Sequence, residues 1–214
     1  MIVAGVVLCG GRSERMGQAK ALLPFGPESM LQRVVRLLGE VVQPVVVVAA
    51  PSQDLPALPP EVRVVCDRAA GCGPLEGLYC GLQACGLGVN AAFVSGCDTP
   101  LLRPVWVHRM IELLGDFDVV VPREGRFPHP LSGVYRTHVA ETMRTLLERR
   151  QFRLQDFYHQ VSTRFVDVEL LRSVDPELDS LLNANCAEDY RRALSRAGLA
   201  SGGGPQATTS DRGK

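Results

Sequence analysis

Lysine is nearly missing from this chain. Of 23 basic residues among 214, only Lys20 and Lys214 are lysine, and the other 21 are arginine. A surplus of either charge is missing too, because 23 acidic residues balance the 23 basic ones, which excludes a broad basic footprint for nucleic acid. No apolar run reaches the roughly 20 residues of a membrane span. Cys-x-x-Cys pairs are absent, and none of the seven cysteines has zinc-finger spacing with the four histidines. The odd cysteine count and the lack of a basic, cleavable leader at residues 1–9 argue against a secreted disulfide scaffold. A reducing, cytoplasmic compartment is the expectation. Charged residues make up only 21%, too few for a disordered chain, and 46% hydrophobic residues can fill a sizeable core.

What is present in quantity is valine. Nearly continuous apolar runs recur at 2–9, 44–50, 62–66, 91–97, 118–121 and 164–168, the pattern of parallel strands covered on both faces. Helical stretches separate them at 30–38, 75–85, 105–114, 138–150 and 187–197; in the first, Leu31, Val34, Val35 and Leu38 share one face. This alternation predicts an α/β fold of three layers, α/β/α, around a mostly parallel sheet with right-handed crossovers. Residues 131–136 form a further candidate strand, and 149–160 match neither pattern. From Ser201 onward the chain is small and polar, so one domain over 1–197 and a disordered tail over 198–214 are expected.

The most informative segment follows the first strand and reads Leu8-Cys9-Gly10-Gly11-Arg12-Ser13-Glu14-Arg15-Met16-Gly17-Gln18-Ala19-Lys20. Open α/β sheets bind ligands beyond the carboxyl ends of their strands. Gly10 and Gly11 let the backbone approach a ligand, successive N–H groups make an anion-binding concavity, and Arg12, Arg15 and Lys20 add positive charge. A phosphate chain is the natural target. The spacing fits neither Gly-x-Gly-x-x-Gly nor the Walker pattern, which disfavours a dinucleotide-dependent oxidoreductase and a P-loop enzyme. Asp67 and Asp98 close two later strands. A carboxylate there suits a Mg²⁺ ion shared with substrate phosphates, although Asp98 before Thr99-Pro100 also suits a turn or helix cap.

The pattern Leu-x-Gly-Gly-x-Ser-x-Arg-Met-Gly-x-x-Lys resembles the signature of nucleotidyltransferases built on the nucleotide-diphosphosugar transferase fold, and within them is most similar to the molybdenum cofactor guanylyltransferases. The resemblance spans about residues 1–197. It implies that Rossmann-like fold, and transfer of GMP from Mg-GTP to molybdenum-molybdopterin with release of pyrophosphate. It implies nucleotide contacts from Leu8, Cys9, Gly10 and Gly11, and phosphate contacts from Lys20. Arg15 either assists catalysis or packs against the loop. Cys97-Asp98-Thr99-Pro100 matches the family's metal-binding segment, which makes Asp98 the Mg²⁺ ligand and a nucleotide contact; Asp67 stands where the family has a nucleotide-contacting aspartate. Gly73-Pro74-Leu75-Glu76-Gly77 resembles Gly-Pro-Leu-Ala-Gly, with Glu76 replacing alanine and Gly77 letting the base lie against the backbone. In the family, paired glycines in the first loop and Pro-Leu-x-Gly here accompany guanine use, so the resemblance implies GTP rather than CTP.

The carboxyl-terminal half is similar to the family more loosely. His129, in a segment that resembles the pterin side, contacts the pterin or merely satisfies a turn. Arg150, in an arginine-dense stretch, meets an acceptor phosphate or ends a solvated helix. Asn183-Ala184-Asn185-Cys186-Ala187-Glu188-Asp189 resembles Asn-x-Asn-Thr-Pro-Glu-Asp, which the family places near metal and acceptor. Asn185 with Glu188 also forms a helix N-cap pattern. Cys186 and Ala187 depart from the family, as does Ala49, where relatives carry a nucleotide-contacting asparagine. Cytidylyl transfer to the same pterin, or another nucleotidyl transfer on this fold, is the nearest alternative. A non-catalytic cofactor carrier or insertion partner is the alternative of a different class, and retention of both Lys20 and Asp98 argues against it. A molybdoenzyme or cofactor-insertion protein is the expected protein partner, with neither nucleic acid nor membrane.

Overall fold

The computed structural model describes residues 1–9, 19–67 and 73–199. Gly10, Gly11, Arg12 and Arg15, and the residues from 200 to the end, lie outside them.

The valine-rich runs become the strands of one eight-stranded sheet. In chain order they are β1 (Val3–Leu8), then β4 (Val45–Ala49), β5 (Arg63–Cys66), β6 (Ala91–Gly96), β7 (Val119–Glu124), β8 (Phe127–Pro128), β9 (Ser132–Arg136) and β10 (Thr163–Asp167). Two-residue strands β2 (Pro24–Phe25) and β3 (Glu28–Ser29) form a separate small hairpin. The order across the sheet is β10-β7-β9-β6-β1-β4-β5, with β8 paired to β7. All neighbours along this path are parallel except those of β9, which runs antiparallel between β6 and β7.

Parity along β1 assigns the two faces. Val7 and Cys9 point to the side covered by α1 (Met30–Gly39) and α3 (Pro104–Leu114), together with Val47, Phe93 and Trp106. Ala4, Val6 and Leu8 point to the side covered by α2 (Pro74–Ala84), α4 (Ala140–Glu148) and α5 (Leu154–Tyr158), together with Val48, Val94 and Tyr135. Three layers therefore enclose two cores, as the near-continuous apolar runs require. The edge strand β5 is the exception, because Arg63, Val64 and Cys66 are exposed on it. Its apolar run was expected to be covered on both faces; at the sheet edge it is not.

The unassigned 149–160 stretch contains α5, whose Phe157 and Tyr158 are buried against Tyr135 and Phe165. Five residues are too few to show helical periodicity, so the pattern was unreadable in the sequence. A last helix, α6 (Ala187–Arg196), packs on the hairpin, and its Tyr190 hydroxyl donates to the Pro24 carbonyl. Leu199 donates its N–H to Leu194 O and joins the same small cluster, so packing continues two residues past the expected boundary at 197. No helix among the described residues is long and apolar enough to cross a membrane.

Candidate active site

The carboxyl ends of β1 and β6 lie side by side, and the site is built on them. Leu8 pairs with Gly96, and the ladder continues one step further through Cys97 N–H to Leu8 O at 3.0 Å. Asp98 is the first residue beyond this ladder. Its turn is locked from beneath: Thr99 Oγ1 donates to Gly96 O at 2.9 Å and lies 2.8 Å from the Ser95 hydroxyl, both groups buried. A Cβ on Gly96 would fall 2.5 Å from Asp98 Oδ1, so this carboxylate orientation requires glycine two residues earlier. The Ala184 N–H donates to Asp98 O at 2.8 Å and stitches the 183–185 segment to the turn.

Lys20 begins a short 3-10 turn, Lys20–Leu22. Its ammonium donates to Asp98 Oδ2 at 2.9 Å and to Asn185 Oδ1 at 2.8 Å. Three segments separated by 78 and 165 residues thus meet at one nitrogen. Asn185 was expected to double as a helix cap with Glu188. The cap is instead Cys186 with Asp189, one residue later; the Asp189 carboxylate accepts from the N–H groups of Asn185 and Cys186 and from the Cys186 thiol. Those bonds, the thiol's first, hold the Asp189 carboxyl below its ordinary range. With the cap supplied by its neighbour, the Asn185 side chain is left to reach Lys20.

Beside Asp98 opens a cavity of about 320 Å³ lined by Thr99, His129, Ser180, Asn183 and Asn185, among others. His129 is set there by its own N–H bond to Pro122 O at 2.8 Å, while the buried Tyr135 hydroxyl holds Pro130 O at 2.8 Å. Its Nε2 is covered and has no hydrogen-bond partner among the described residues. Burial lowers its pKa, Glu124 opposing, so the ring is neutral near pH 7. The cavity thus collects Asp98, His129, Asn183 and Asn185 from three separate stretches of sequence. It does not collect Arg150. That residue ends α4 with φ at +58°, and the following Gln151 N–H returns to Leu146 O at 2.9 Å, a C-terminal cap geometry. A larger cavity of about 980 Å³ lies along α1, but the ion pairs of Arg36 with Glu28 and Glu40 dominate its polar wall and none of the expected site residues lines it.

The remaining expected contacts divide. Leu8 and Cys9 are buried, and the Cys9 N–H is used by Val48 O at 2.8 Å. Hydrogen bonding with Cys97 and burial push the Cys9 thiol far above its usual range, so it is a neutral core group. Gly77 packs closely on Leu8, where an added Cβ would come within 3.2 Å of Cδ1 and the leucine would have to give by a few tenths of an ångström. Asp67 ends β5 with its N–H on Ala49 O, and its covered Oδ1 has no hydrogen-bond partner among the described residues. Burial, then the charge of the nearly buried Glu76, raises its carboxyl pKa. Glu76 as a close neighbour of Asp67 was not foreseen, because the family pattern has alanine there.

Asp67 holds its proton more tightly folded than unfolded, so its contribution to stability falls as pH rises through the interval between the two pKa values. Asp67→Asn is expected to raise the melting temperature at pH 7, with less effect at pH 4. Thermal melts at both pH values check this, and a lower midpoint at pH 7 contradicts it.

Residues 5–163 match the MobA-like NTP transferase domain. The chain belongs to this family. It is 36% identical over 189 residues to a protein of Pelotomaculum thermopropionicum named "Probable molybdenum cofactor guanylyltransferase", covering 88% of this chain and 90% of that one. A Mycobacterium tuberculosis protein of the same name is 41% identical over 162 residues, 72% of this chain and 79% of that one. Among solved structures, the molybdopterin-guanine dinucleotide biosynthesis protein A of Archaeoglobus fulgidus superposes with a TM-score of 0.74 at 22% identity, over 92% of this chain and 99% of that one, which shows the fold. The chain is accordingly a nucleotidyltransferase with the expected α/β architecture. Members of such a family work with a divalent metal.

Proposed function

We infer that this nucleotidyltransferase transfers GMP from GTP to the terminal phosphate of molybdenum-molybdopterin, releasing pyrophosphate and forming the guanine dinucleotide form of the cofactor. The observation that carries the reading is the convergence of Lys20, Asp98 and Asn185 at strand ends, beside a cavity fit for an acceptor. The relatives' names supply the nucleotide and the acceptor.

The site suits Mg²⁺. Asp98 Oδ2 and Asn185 Oδ1 already converge on one positive charge, the Lys20 ammonium, and hard divalent cations take such oxygens together with substrate phosphates. Among the described residues no cluster of three or more His, Cys, Asp or Glu gathers, and substrate oxygens and water would supply the further donors such a cation takes. When bound, Mg²⁺ neutralises charge on the triphosphate and on the departing pyrophosphate. Asp98 and Asn185 would hold it. Lys20 binds the triphosphate from the other side, with Arg15 and the amides of Gly10 and Gly11 as proposed partners. Asp67 and Gly77 border the nucleotide, and backbone at Leu8 and Cys9 frames it. His129 and Asn183 face the acceptor. Neutral His129 donates a hydrogen bond without adding charge. The attacking group is an ionised phosphate oxygen, so no strong base is needed and catalysis is chiefly positioning and charge neutralisation. The same reading places the reaction in the cytoplasm and hands its product to a molybdoenzyme or insertion protein.

The test is pyrophosphate release with molybdopterin and Mg²⁺, comparing GTP with CTP. GTP is expected to turn over at least about tenfold faster, a difference of about 1.4 kcal/mol. Preference for CTP would replace guanylyl with cytidylyl transfer.

A further inference from the structure

The Lys20 ammonium stands where the reading above requires a divalent cation. We infer that Lys20 is the resident counter-ion of the Asp98–Asn185 oxygen pair, so that the nucleotide must draw it away before metal is admitted. The proposal rests on Asp98 being the metal ligand.

The backbone that carries the oxygen pair does not depend on Lys20. The buried Thr99 and Ser95 hydroxyls fix the turn beneath Asp98, and the Ala184 N–H to Asp98 O bond fixes the 183–185 segment to the same turn. The Asn185 N–H is anchored separately on Asp189. Removing the ammonium therefore leaves in place the backbone that presents both oxygens. Lys20, by contrast, reaches that place on a flexible four-carbon stem, from a turn that directly follows the glycine-rich segment. It is the only described residue that forms an ion pair with Asp98.

One carboxylate oxygen cannot hold an ammonium and a divalent ion in the same position. In the nucleotide-free protein, metal must displace Lys20 and leave its charge close by without a partner, which weakens metal binding. A triphosphate offers Lys20 a better counter-charge, and its departure exposes Asp98 and Asn185. Nucleotide and metal then promote each other's binding, and by linkage the effect is reciprocal. The arrangement ties loading of the cation to arrival of the nucleotide.

The experiment titrates Mn²⁺ against the full chain without nucleotide, with free Mn²⁺ read by electron paramagnetic resonance. Wild type is compared with Lys20→Met, Lys20→Gln, Lys20→Arg and Asp98→Asn, each checked by thermal melting. Both neutral variants are expected to bind Mn²⁺ about fivefold more tightly than wild type, the scale of a partly exposed ion pair. Lys20→Arg keeps the cation and is expected to bind no more tightly than wild type. Asp98→Asn is expected to lose the site. Equal or weaker binding in the neutral variants, with the site still lost in Asp98→Asn, overturns the counter-ion role and leaves the metal assignment standing. Tighter binding in Lys20→Arg as well also overturns it, because charge would not be the cause. Unchanged binding in Asp98→Asn overturns both this proposal and the metal assignment beneath it.

Discussion

Asp98→Asn is expected to lower turnover about a thousandfold, the scale of removing one preorganised electrostatic group from an active site. The substitution keeps the side chain's size. The bonds that shape the turn, from Ala184 N–H to Asp98 O and from the Thr99 hydroxyl to Gly96 O, do not involve the carboxylate. The fold should therefore survive, with a melting temperature within about 3 °C of wild type, since the ion pair lost is partly exposed. What disappears is the negative oxygen that Lys20 now holds and that the metal needs. Pyrophosphate release at saturating GTP reads the effect. Turnover within tenfold of wild type, in a folded variant, would remove Asp98 from the chemistry.

Lys20→Arg is expected to lower kcat/KM for GTP by about 30-fold, and Lys20→Ala by about a thousandfold. The chain uses arginine at every other basic position up to residue 213, so composition alone would favour arginine at 20 as well. The local geometry does not. One compact nitrogen is shared by Asp98 Oδ2 and Asn185 Oδ1 at 2.9 and 2.8 Å, in a pocket that leaves the lysine side chain 19% exposed. A planar guanidinium fork is longer, and has to displace one of the two oxygens to fit. It also moves less freely between the carboxylate and a triphosphate. Steady-state kinetics on both variants decide the matter. Near-normal kcat/KM in Lys20→Arg would mean that charge alone matters and that the lone lysine is compositional chance.

The parallel strands were legible because strands buried on both faces read as nearly continuous runs of apolar and small residues, as in β1, β4 and β6. Asp98 was legible as a strand-end carboxylate inside a family segment. Long-range pairing was less accessible. No local pattern shows that Asn185 meets Lys20 across 165 residues; only the resemblance pointed to this asparagine, and toward metal and acceptor rather than toward lysine. The N-cap expectation at Asn185 missed by one position because Asp189 outcompetes Glu188, accepting two backbone N–H groups and a thiol at once. Arg150 was read either as an acceptor-phosphate contact or as the end of a solvated helix, and its backbone ends a helix with positive φ, a role usually taken by glycine or asparagine. Gly77 as a platform for a base was legible only through the resemblance; the structure adds its close packing on Leu8. The Lys20–Asn185 contact was set by tertiary neighbours, and the two helix ends by local bonds.

Nucleotidyl transfer at the Lys20–Asp98 site is tested most directly by following the label of GTP. With molybdenum-molybdopterin, Mg²⁺ and the full chain, GTP labelled at the α-phosphorus should carry its label into the pterin product, and GTP labelled at the γ-phosphorus should carry its label into pyrophosphate. Both transfers should fall together in Asp98→Asn. Appearance of the γ-label in the pterin product, or of no label there with wild-type protein, would contradict the account.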